Sequence, residues 1–169
     1  MNIEVRLVLN PQPVTRNVIF MQIDSFYFPD DLYYNRNHFW ARVEDALVVM
    51  GPTDFYQQSV GGITAVEFNV TDGKVKQGQV VASVQPGDWL GPVCAVVSGE
   101  IIKVNEKLNK NPSPLNESPY EKGWLLQIRP TNLEAELGDL IRSGPILRAL
   151  IEEEMAWLQE VFQGRRPCC

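Results

Sequence analysis

The spacing of its chain breakers constrains this sequence more than any other feature. From residue 3 to about residue 130, Gly, Pro, Asn and Asp recur every ~8 to 12 residues and separate short runs of β-branched and aromatic side chains. That cadence leaves little room for long helices and predicts a mainly β fold. Candidate strands are EVRLVL, NVIFMQI, FWARVE, ALVVMG, ITAVEF, QVVASV, GEIIKV and GWLLQI. In HFWARVE, Phe39, Ala41 and Val43 alternate with Trp40, Arg42 and Glu44, the pattern of a strand with two distinct faces. Glu44 and Asp45 mark the turn that follows. The segment GPTDFYQQSVGG interrupts the cadence with a short helix: Thr53 or Asp54 can accept an orphan N–H at its start, and Gly61 can take the left-handed conformation that ends it. DGKVKQGQVVASV and AVVSGEIIKVN echo each other, and two such units related by a two-fold would close into a flattened barrel.

Beyond Arg129 the period changes. NLEAELGDLIRSG and PILRALIEEEMAWLQEVFQG repeat apolar residues at three and four, and Leu147, Ile151, Met155, Leu158 and Phe162 form the stripe of an amphipathic C-terminal helix. Pro145 suits its first turn and Gly164 its stop. The stripe is expected to pack on its own domain; its other use is to dock a partner or to form a homodimer with a second copy. Glu152, Glu153 and Glu154 read as a solvated face.

Composition narrows the function classes. Of 169 residues, 44% are hydrophobic and 21% charged, enough for one packed domain with an appendage. A net charge of -6 argues against binding to a phosphate backbone, so no nucleic acid partner is expected. No apolar run approaches the ~20 residues that cross a bilayer. MNIEVRLVLNPQP is broken by Glu4, Arg6 and Pro11 before a signal-peptide core can form, and we read a cytoplasmic protein without a membrane partner. Cys94, Cys168 and Cys169 make an odd set and no disulfide framework. With His38 the one histidine, a zinc site would need the C-terminal tail pulled back onto the core, so no metal is expected. Asp30-Asp31 and Glu44-Asp45 fall in turns, where carboxylates ordinarily accept local backbone hydrogen bonds.

Several stretches together carry a family resemblance. They are YYNRNHFWARVEDALVVMGPTDFYQQSVGGITAVEF, then GKVKQGQVVASV, then VSGEIIKVNEKLNKNPSPLNESPYEKGWLLQIRPTN. The last holds Ser98-Gly99-Glu100, Val104-Asn105-Glu106, Asn111-Pro112, Leu115-Asn116, Pro119-Tyr120 and Gly123-Trp124-Leu125 in order. In these residues the chain resembles the H protein of the glycine cleavage system, in the lipoyl/biotinyl-carrier group. The resemblance covers residues 26–142, leaving 1–25 as an N-terminal extension and 143–169 as a C-terminal helix and tail. It implies a barrel-sandwich hybrid with short helices. It also implies a non-catalytic carrier, whose lipoyl group hangs from a lysine at a hairpin tip and shuttles an aminomethyl group between a pyridoxal-phosphate decarboxylase and a folate-dependent transferase. Partners among glycine-cleavage or lipoate-handling proteins follow. His38 either orients a sheet edge or, with Trp40, lines the groove that the family's lipoyl arm would occupy.

One stretch departs from the family pattern. In SVQPGDWLGPVCAVVSGE the lysine's position is matched by Gln85, counting forward from Ser83-Val84, or by Asp88, counting back from Ser98. Val84 and Ser98 enclose 13 residues, a longer span than the family pattern has, and no lysine occurs between Lys76 and Lys103. Lipoylation needs an ε-amine, and glutamine's amide nitrogen is delocalised into its carbonyl. We therefore expect no lipoate cofactor here, and a protein that acts by contact. Gln85, Asp88, Trp89 and Leu90 form the candidate interaction loop, because an exposed tryptophan often anchors an interface. A second reading moves the carrier role to Lys76, Lys103 or Lys107. A third makes Cys94 a nucleophile with His38 as its base, which needs the two side chains in contact.

Overall fold

The computed structural model describes residues 18–70, 72–87 and 90–163. EVRLVL, Asp88, Trp89, Gly164, Cys168 and Cys169 lie outside the described residues. The chain enters through a hairpin, β1 (Phe20–Ile23) and β2 (Phe26–Pro29). A meander of β3 (Tyr33–Tyr34), β4 (Phe39–Glu44) and β5 (Leu47–Pro52) follows, and Asp45, at φ 52°, turns β4 into β5. Helix α1 (Asp54–Ser59) starts at Thr53, whose hydroxyl accepts the Tyr56 N–H at 3.1 Å, and ends before Gly61 at φ 81°.

The middle of the chain supplies β6 (Ala65–Phe68), β7 (Lys74–Val75), β8 (Val80–Gln85), β9 (Gly91–Cys94) and β10 (Gly99–Val104). Helices α2 (Lys107–Lys110) and α3 (Ser113–Glu117) precede β11 (Leu126–Pro130). Last come α4 (Leu133–Leu137), β12 (Ile141–Arg142) and α5 (Pro145–Phe162), with Pro145 in its first turn. Among the described residues, the β1–β2 hairpin stands beside a seven-stranded sheet in the order β12-β3-β4-β5-β11-β10-β7 and a three-stranded sheet in the order β6-β8-β9. No described helix is long and apolar enough to cross a membrane.

The echo seen in the sequence corresponds to an exchange of partners. β7 pairs with β10 and β8 with β9, so the β7–β8 and β9–β10 units embrace as a two-fold pair would. Their turns also bond each other: Gly78 N–H donates to the Ala95 carbonyl and Ala95 N–H to the Gln79 carbonyl, both at 2.8 Å.

Two cores flank the long sheet. The first joins Phe39, Ala41, Val48 and Met50 to Val81, Val84 and Val93 of the small sheet and to Leu108, Leu115 and Ile128. The second joins Trp40 and Val49 to Ile23, Phe28, Tyr120, Leu147 and Ile151. β4 and β5 thus bury successive side chains on opposite faces. Both faces of β4 are apolar at its start, whereas Val43, at 38% exposure, lies outside either core.

Some sequence expectations are corrected. NLEAELGDLIRSG is helical only through Leu137, and Ile141–Arg142 pairs with Tyr33–Tyr34 as a strand. The α5 stripe, by contrast, packs on its own domain as expected, with Leu147 and Ile151 fully buried, so these residues are closed to a second copy. β1, upstream of residue 25, shares the second core with α5.

Candidate functional site

The β8–β9 hairpin is built from the core outward. Val84 pairs with Gly91, Ser83 with Pro92 and Ala82 with Val93, and β6 lies on the other side with Ala65 opposite Gln85. A bulge between Val80 and Ala82 turns both Val81 and Ala82 into the first core. At the root, the Thr64 N–H and hydroxyl both donate to the Gln85 carbonyl, at 2.9 and 2.7 Å. Beyond it Pro86 is buried, Gly87 is exposed at φ 67°, and Leu90 is 65% exposed. Gly87 supplies the left-handed backbone that this turn requires.

Gln85 ends β8 with its side chain exposed, and Asp88 and Trp89 lie outside the described residues. From β8 to β9 the chain carries no amine, so these residues do not fit a covalently attached lipoyl group. Lysines elsewhere are exposed: Lys76 lies in the turn where Gln79 N–H donates to its carbonyl at 2.9 Å, Lys103 on β10 and Lys107 on α2.

The expected groove does not form between His38 and Trp40. Trp40 has no exposed surface; its indole N–H donates to the Pro119 carbonyl at 2.9 Å, and the Arg42 guanidinium stands 5.2 Å from its ring centre. His38, at φ 69°, contacts Phe55 with ring centroids 4.8 Å apart, and its Nε2 meets the Glu154 carboxylate of α5 at 2.5 Å. α5 therefore closes this face.

Cys94 is half-buried at the end of β9 and makes no hydrogen bond with His38 among the described residues. Its thiol neighbours Tyr56 instead, whose phenol is pushed up to about 12 first by burial and then by the charge the thiol would carry. A Cys-His arrangement for nucleophilic catalysis is not assembled. Among the described residues no cluster of three or more His, Cys, Asp or Glu is placed to hold a metal.

The motif residues are scaffold. Asn116 holds Ile63 by both its N–H and carbonyl, at 2.7 and 2.9 Å. The Tyr120 hydroxyl accepts the Asp54 N–H at 3.0 Å and donates to the Tyr27 carbonyl. Glu136 on α4 receives the Ser98 N–H and hydroxyl, at 2.8 and 2.6 Å. At Gly99 a Cβ would lie 2.1 Å from the Arg129 carbonyl oxygen, which excludes any side chain. Sequence reasoning missed Thr64 as the hairpin's root, since nothing local links it to a residue 21 positions away.

The interlocked units and the projecting β8–β9 hairpin define a lipoyl-domain-like barrel-sandwich hybrid. Residues 32–153 match the family model described as "Glycine cleavage H-protein", and the chain belongs to that family. It is 40% identical to "Glycine cleavage system H protein 2" of Aquifex aeolicus over 126 residues, covering 73% of this chain and 78% of that one. It is 39% identical to "Probable glycine cleavage system H protein" of Pyrococcus abyssi over 122 residues, covering 72% and 90%. The crystal structure of a glycine cleavage system H protein from Mycobacterium marinum shares the fold, with a TM-score of 0.62, 24% identity, and coverage of 69% of this chain and 93% of that one.

Proposed function

We propose that this member of the H-protein family is not lipoylated at its hairpin and acts as a non-catalytic protein-binding module within glycine-cleavage or lipoate-handling assemblies. One observation carries the reading: the segment between the two paired hairpin strands offers Gln85, Pro86 and Gly87 where an acylated arm needs an amine. The exposed Leu90 beside that tip gives a partner an apolar contact. Co-expression with a lipoate-attaching enzyme followed by intact-mass measurement tests the reading. No mass gain is expected; a gain of one lipoyl group on any lysine overturns it.

A displaced attachment is the second reading, and Lys76 favours it by standing exposed in the turn between β7 and β8, the two-fold counterpart of the turn leading into β10. Fragment mapping of any acylated peptide separates the two.

A further inference from the structure

We propose a second binding site, unconnected with the hairpin: a lysine-rimmed groove between β10, α2 and the loop before β11, which takes an acidic segment of a partner protein with an apolar anchor. The groove encloses about 660 Å³. Its floor is apolar, made by Trp124, Leu108 and Pro114, and its rim carries Lys103, Lys107 and Lys122. Half of the chain's six lysines therefore meet at one place in a protein of net charge -6. All three are exposed, and none makes an ion pair among the described residues.

The walls are fixed in place. Asn105, itself buried, donates through its side-chain amide to the carbonyls of Lys122 and Trp124 at 3.2 and 2.9 Å, locking the loop against the end of β10. The register of β10 against β11 slips between Ile101 and Lys103, and immediately after this bulge the Lys103 ammonium stands 5.8 Å from the Trp124 ring centre. A bulge beside a site commonly serves to re-aim one side chain. The indole face attracts that cation and holds it beside the apolar floor.

Charge complementarity points to an anionic ligand, and the layout points to an extended one. The amines come from three different elements, β10, α2 and the loop before β11, so they line the rim along its length. Lysines act as flexible point charges and suit a string of carboxylates better than a single planar anion. The rim also includes Glu106, which disfavours a compact polyanion.

The test titrates the full-length protein with an acetylated peptide of about ten residues, a Leu-Phe pair flanked by glutamates, read by tryptophan fluorescence and backbone amide NMR. We expect saturable binding that shifts the amides of 103–108 and 122–124. It should weaken about tenfold or more in K103E/K107E/K122E, and likewise when salt rises from about 50 to about 500 mM. Saturable binding that survives the charge reversal, shifts confined to other residues, or no binding overturns the proposal. K103Q/K107Q/K122Q replaces the reversal if circular dichroism shows a disturbed fold. Octanoate and inorganic phosphate, each alone, form the remaining arms: either one binding at the same amides as tightly as the peptide makes this a small-anion site and overturns the partner segment. Because the hairpin is decided by intact mass, either proposal can fail without the other.

Discussion

Tyr120 illustrates how much one hydroxyl can organise. It accepts the Asp54 N–H at the start of α1 and donates to the Tyr27 carbonyl of β2, so removing it leaves two backbone groups without that partner. Burial is the main cause that holds its phenol well above 10.0, and Tyr56 is raised to about 12, mainly by burial as well. In both cases the folded protein keeps a proton that the unfolded chain releases near 10.0. The stabilisation is therefore complete below that pH and lost as pH rises toward 12 and beyond. In an alkaline titration, phenolate absorbance from Tyr56 and Tyr120 should appear together with loss of circular dichroism. Their ionising before any structural loss would contradict this. Tyr120→Phe should cost about 1–3 kcal/mol, seen as a lower urea midpoint at unchanged slope. His38 makes a related point: the sequence singled out its residue type, yet its partner Glu154 lies 116 positions away, where local pattern has no reach.

At the level of elements, the strand readings followed the physics they rested on. FWARVE and GEIIKV are strands over those very residues, Phe39–Glu44 and Gly99–Val104, because short aromatic or β-branched runs between chain breakers are a local signal. α2 and α3 were not legible: KLNK and SPLNE are single turns on either side of Asn111-Pro112, too short to show a helical period, and they are helical because Leu108 and Leu115 are buried and Asn116 is clamped to Ile63. β9 hid for the opposite reason, since Gly91 and Pro92 look like punctuation until β8 pairs with them. The hairpin's dependence on Thr64 is testable. Thr64→Val removes the hydroxyl donor to Gln85 but leaves the N–H, and amide exchange in β8 and β9 should rise about threefold to tenfold with global stability changed by less than about 1 kcal/mol. An equal rise across β4, β5 and β11 would mean that the bond serves the whole fold instead.

For the whole molecule, two cores on opposite faces of one sheet make α5 a structural wall. Leu147 and Ile151 close the second core over Trp40 and Phe55, with Met155 and Leu158 packed beside them. A chain ended after Ser143 should bind ANS strongly and melt at a markedly lower temperature, because that core would face water. Unchanged melting would place α5 outside the cooperative unit. If α5 also joins two chains, the contact has Ile146 and Trp157 to use, at 69% and 41% exposure, and not the inner stripe. The bonds at Gln85 and the burial of Pro86 have a further consequence. Because the tip is tied off at its base, insertions beyond it need not propagate into either core, and natural selection is free to rewrite the loop while the surrounding signature stays intact. Ancestry and chemical task can then part company in a lineage without any loss of foldability.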